Sequence, residues 1–207
     1  MFVFFNKKNI PNILTIIRIL LIPFVIYAFY SPSKIPNMIS GFLFALASIT
    51  DFFDGKLARY YKIQSNFGKC FDPIADKLLV STSLIMLICF TNERKIILIP
   101  AVIIISREIM VSGLREFLST KNISVPVSKL AKWKTGIQMV AIGTLLYCSN
   151  GSDIIYDEIT NFIEINDYFK FNFEGTFQII GEVLLYISSI LTLITGYIYF
   201  KVGFKNF

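Results

Sequence analysis

The chain has 207 residues, 55% of them hydrophobic, with a mean hydropathy of +0.64. Soluble globular domains rarely exceed half apolar, so the composition excludes that class and predicts one helical membrane domain over residues 1–207. The formal charge of +6 has no soluble basic domain to present it, which excludes nucleic acid as a partner.

The chain opens MFVFFNKKN, apolar before basic, the reverse of a secretory signal. It reads as a short interfacial segment, with Phe2, Phe4 and Phe5 in the acyl boundary and Lys7 and Lys8 at the headgroups. Six apolar runs long enough to cross a bilayer follow, at about 13–30, 37–58, 71–90, 96–118, 127–148 and 177–201. The predicted fold class is therefore all-α, a polytopic membrane protein with six transmembrane helices. The first run is led by NIPNILTIIR, where Pro11 suits a helix start and Asn12, Thr15 and Arg18 share one face. An arginine inside a membrane helix is expected to face a polar interior; snorkelling to the interface is the competing reading. The second run carries Gly41, Ala45, Ala47 and Ser48, small residues that let helix backbones approach closely.

Between the second and third runs stands DFFDGKLARYYKIQSNFGKCFDPIAD, residues 51–76, with the pattern D-x2-D-G-x2-A-R-x8-G-x3-D-x3-D. Asp51 and Asp54 are predicted to end one helix and Asp72 and Asp76 to begin the next, each pair on one face. A linker over 60–69, turning tightly at Gly68, brings the pairs together. Pro73 is placed near the helix start, where its missing N–H matters little. Four converging carboxylates repel one another unless a cation joins them, and hard oxygens suit magnesium or manganese. Four are enough for two ions, the arrangement that clamps a phosphorus during in-line displacement. Gly55 and Ala58 leave one helix face bare for close approach, and Arg59 offers a donor fork to phosphate oxygens. Lys77 either neutralises the acidic site or snorkels outward, and the sequence does not choose.

The fourth run contains SREIMVSGLRE, with Arg107 and Glu108 well inside it and Arg115 near its end. SKLAKWKTGIQ, residues 128–138, brings Lys132 and Lys134 to the fifth. Arg107, Arg115, Lys132 and Lys134 together make a cationic pocket suited to an anionic acceptor. The competing readings are a packing ion-pair network for the first two and topogenic charge for the lysines. Residues 149–176 are acidic and aromatic and read as a solvated loop or a short surface helix, with a second metal site as the remoter reading. Cys70, Cys89 and Cys148 have no ligand spacing and read as core fillers, and histidine is absent. With the N-terminus inside, thirteen Lys or Arg flank the helices on the cytoplasmic side and four on the other. That bias predicts both termini and the carboxylates at the cytoplasmic face of the inner membrane.

The aspartate constellation resembles the signature of the CDP-alcohol phosphatidyltransferases at every position. With NIPNILTIIRILLIPF, FDPIADKLLV, REIMVSGLRE and AKWKT, the likeness runs from about residue 10 to 143. It is most similar to the bacterial branch whose acceptor is sn-glycerol 3-phosphate. The resemblance implies transfer of a phosphatidyl group from CDP-diacylglycerol, with two Mg2+ (or Mn2+) ions held by Asp51, Asp54, Asp72 and Asp76. It implies Asp76 as general base and Asn12, Thr15 and Arg18 against the CDP-lipid. Gly55, Ala58, Arg59, Ser65 and Gly68 would contact the cytidylyl and phosphate groups, and copies would pair as homodimers in the membrane lipid. Alternatives stay open: inositol phosphate, serine or phosphatidylglycerol as acceptor, or a cation or proton transporter. The missing internal repeat and the acids grouped at one membrane face speak against transport.

Overall fold

The computed structural model describes residues 10–30, 38–50, 66–91, 94–121, 123, 129–148 and 167–204. Among these residues there are six helices and no strand: α1 Ile10–Tyr30, α2 Met38–Thr50, α3 Asn66–Phe90, α4 Arg94–Thr120, α5 Lys129–Cys148 and α6 Asp167–Phe204. Stretches within three of them, Cys70–Phe90, Lys95–Thr120 and Gly175–Phe204, are long and apolar enough to cross a bilayer, and Ile13–Phe29 and Met38–Thr50 are shorter apolar helices. Large side chains such as Phe24, Tyr27, Ile99, Ile179 and Ile190 point outward. So much exposed apolar surface would be untenable in water, and it identifies a membrane protein.

The interior inverts the usual contrast by holding small polar groups. Ser188, Ser189, Thr192 and Thr195 of α6 are buried, and each hydroxyl donates to a carbonyl three or four residues back. Their small size lets α6 lie closely against α5 and α4. The apolar core is built mainly from α1, α3, α4 and α5, through residues such as Phe29, Leu84, Ile104 and Ile142. Helices α1 and α3 run side by side in the same direction: Thr15 meets Asp72 near one end, and Phe29 stacks edge-on against Phe90 at the other. Helix α2 runs antiparallel to α5. Its Gly41 abuts the Tyr147 backbone, where an added Cβ would sit 2.9 Å from backbone atoms, and its Ser48 reaches Met139. Thr50 therefore delivers the chain to the same end of the bundle as the start of α3.

Three expectations are corrected. Gly68 does not turn a linker; it is buried inside α3, which begins at Asn66. Pro73 accordingly lies in the helix interior and supplies no N–H to the carbonyl four residues back. The last helix does not start near 177 after a separate loop or short surface helix; it is continuous from Asp167, giving α6 its 38 residues. Residues 149–166 lie outside the described residues.

Candidate active site

Helices α1 and α3 build one half of the site. On α1, Thr15 and Arg18 lie three apart on one face; on α3, Asp72 and Asp76 lie four apart on one face. Parallel packing matches them as two rungs. The Thr15 hydroxyl donates to Asp72 Oδ1, and Arg18 Nη1 donates to Asp76 Oδ1 at 3.0 Å. Arg18 is only 1% exposed, so it does not snorkel: its cation is held in the bundle beside a carboxylate. Asn12 lies one turn earlier on α1. Asp51, Asp54, Gly55, Ala58, Arg59 and Ser65 lie outside the described residues, so the described carboxylates are half of the predicted set.

The other half faces an adjoining side of α3, about 100° around the helix. A cavity of about 1470 Å³ opens among α2, α3, α4, α5 and α6. Lys77, Arg107, Arg115, Lys132 and Lys134 all line it, which brings the four predicted acceptor cations together and adds a fifth. Among the described residues, two carboxylates, Glu108 and Glu116, share the lining, so its described cations outnumber its described anions. Lys77 does not snorkel either; its ammonium donates to the Ser112 hydroxyl on α4.

Glu108 organises the deep end of the cavity. It accepts from Lys134, which is 2% exposed, and from Arg107 Nη1 at 3.4 Å. Arg107 Nη2 also donates to Thr195 Oγ1 at 2.9 Å. The Arg107 side chain crosses Gly196, where an added Cβ would come within 3.2 Å of its Cγ. Tyr199 lies between two guanidinium groups, with Arg107 Cζ 5.6 Å and Arg115 Cζ 5.5 Å from its ring centroid. Sequence reading overlooked Thr195 and Tyr199, yet Thr192, Thr195 and Tyr199 at i, i+3 and i+7 mark a polar face of α6. Arg107 Nε is buried with no hydrogen-bond partner among the described residues.

Fold and site together define a polytopic helical membrane enzyme, with carboxylates and a cation-lined cavity on two sides of one helix. A profile of the CDP-alcohol phosphatidyltransferase family matches residues 8–194, and the chain belongs to that family. It is similar to a CDP-diacylglycerol–glycerol-3-phosphate 3-phosphatidyltransferase of Rickettsia felis, 48% identical over 200 residues, 97% of this chain and 98% of the relative. Proteins of the same name from Haemophilus influenzae and Cereibacter sphaeroides are 39% and 37% identical, over 90% and 93% of this chain and 89% and 94% of their own lengths.

Proposed function

We propose that the protein transfers the phosphatidyl group of CDP-diacylglycerol to the primary hydroxyl of sn-glycerol 3-phosphate, yielding phosphatidylglycerophosphate and CMP. The observation that carries this reading is the placement of Asp72 and Asp76 against α1 while the cation-lined cavity opens on an adjoining side of α3, at the same end of the bundle. One side suits a lipid diphosphate, the other an anionic alcohol. The residues present fit a hard divalent cation, because two carboxylates one turn apart share a face and Thr15 orients one of them. Asp51, Asp54, Asp72 and Asp76 would hold two Mg2+ (or Mn2+) ions, which when bound supply charge neutralisation at the diphosphate.

The chain's own groups account for the rest. Thr15 and Arg18 fix the two carboxylates and, with Asn12, would help hold the CDP-lipid beside them. The acceptor's phosphate docks among the cavity cations, which orients its primary hydroxyl toward Asp76. Asp76 takes the hydroxyl proton as the new O–P bond forms; the P–O bond to CMP breaks and CMP departs with the electron pair. Positioning and preorganised charge supply most of the acceleration, as in other phosphoryl transfers.

The direct test measures CMP release from CDP-diacylglycerol by the purified protein in detergent, across glycerol 3-phosphate, inositol phosphate, serine and phosphatidylglycerol. Release driven by glycerol 3-phosphate and abolished by EDTA is expected. Release driven as fast by another alcohol would overturn the acceptor, and full activity in EDTA would overturn the metal site.

The membrane orientation belongs to the same reading. Charge asymmetry supports an inner-membrane protein with both termini and the site at the cytoplasmic face. In sealed, right-side-out vesicles, a cysteine at Asp157→Cys should react with an impermeant maleimide added outside. Labelling only after the vesicles are opened would reverse the topology.

A further inference from the structure

We infer that Lys77 is an acceptor-binding residue that anchors the phosphate of the anionic alcohol, an assignment resting on the acceptor reading above. The direction of its side chain is the first ground. Asp76 and Lys77 are consecutive on α3, so their side chains diverge by about 100° around the helix. Asp76 turns to Arg18 on α1, and Lys77 turns to Ser112 on α4. The carboxylate site and the cationic cavity thus meet at one peptide bond.

The second ground is charge. Lys134 is held by Glu108, and Arg107 shares that carboxylate while also bonding Thr195. Lys77 has no carboxylate partner among the described residues; a neutral serine hydroxyl takes one of its three donors. A half-buried ammonium in a membrane bundle is costly unless an anion joins it. Arg115, over the Tyr199 ring, likewise has no carboxylate partner among the described residues. Lys77 and Arg115 both line the cavity, and their pairing suits a dianionic phosphate better than the pre-neutralised Lys134 does.

The third ground is register. A phosphate bound at Lys77 sits one residue from Asp76, so a short alcohol can reach around α3 and present its hydroxyl to that carboxylate. Among the described residues, no other lysine or arginine that lines the cavity lies on the helix that carries Asp72 and Asp76.

The test compares the purified full chain with Lys77→Gln and Lys77→Arg, using steady-state CMP release and thermal unfolding with and without glycerol 3-phosphate. Loss of a charge-assisted contact should raise the KM for glycerol 3-phosphate about ten- to hundredfold in Lys77→Gln. The KM for CDP-diacylglycerol should stay within about twofold, Lys77→Arg should recover most of the loss, and ligand-induced thermal stabilisation should disappear only in Lys77→Gln. An acceptor KM within twofold of the parent overturns the assignment, as does an equal rise in both constants, which indicates packing. If the parent chain releases no CMP with glycerol 3-phosphate, the proposed function fails. The Lys77 assignment is then decided by whether glycerol 3-phosphate stabilises the parent and not Lys77→Gln.

Discussion

Asp76→Asn is expected to lower kcat for CMP release by about a hundred- to ten-thousandfold while the protein stays folded. Asparagine keeps the shape of the side chain and can still accept from Arg18, so the contact between α1 and α3 survives. It cannot take a proton from the acceptor hydroxyl and adds no negative charge. The KM for CDP-diacylglycerol should change far less than kcat, because the step lost is proton removal. Asp72→Asn should be comparably damaging for a different reason. Its amide still accepts from Thr15, but the proposed divalent cation would lose an anionic ligand. Activity in that variant should therefore recover partly at raised Mg2+, whereas Asp76→Asn should not. Activity within tenfold of the parent in both variants would remove the carboxylates from the chemistry.

The second large effect is on stability. Lys134→Met should lower the thermal midpoint in detergent sharply, because Glu108 would keep only Arg107 at 3.4 Å. Breaking a buried pair by removing one partner costs about 3–5 kcal/mol, and the partial exposure of Glu108 argues for the lower end. Removing both partners in Glu108→Gln/Lys134→Met should restore most of the midpoint. Arg115→Ala forms the contrast. Its guanidinium stacks on Tyr199 and has no carboxylate partner among the described residues, so its loss should leave the midpoint nearly unchanged. It should instead raise the KM for glycerol 3-phosphate about tenfold or more. If Lys134→Met unfolds no earlier than Arg115→Ala, Glu108 does not organise the cavity as described.

The parts of this site that were legible in the sequence depend on spacing along one helix. Thr15 with Arg18, and Asp72 with Asp76, declare their shared faces through intervals of three and four. The burial of Arg18 follows from the expense of a lipid-facing cation. Contacts set by how one helix is rotated against another were not legible. Lys77 could have turned either way until α4 was seen beside it, and Glu108 becomes a hub only because α5 brings Lys134 across. Helix starts were misjudged for a related reason. Hydropathy marks where a chain enters the bilayer, not where hydrogen bonding begins, so Asn66 and Asp167 open helices ahead of their apolar runs. For the first pair of aspartates, the structure contributes only the direction in which α2 hands over the chain at Thr50.

The close passage of α2 over α5 gives the bundle a mechanical asymmetry. At Gly41 there is no side chain between the two backbones, so Tyr147 acts as a fulcrum. Thr50 lies nine residues away, about 13 Å along the helix axis, at the charged end. A change of crossing angle at that fulcrum would be magnified along the lever arm and would displace the Thr50 end most. A glycine with no chemistry of its own thus couples the packing of α2 on α5 to the width of the cavity that both helices line.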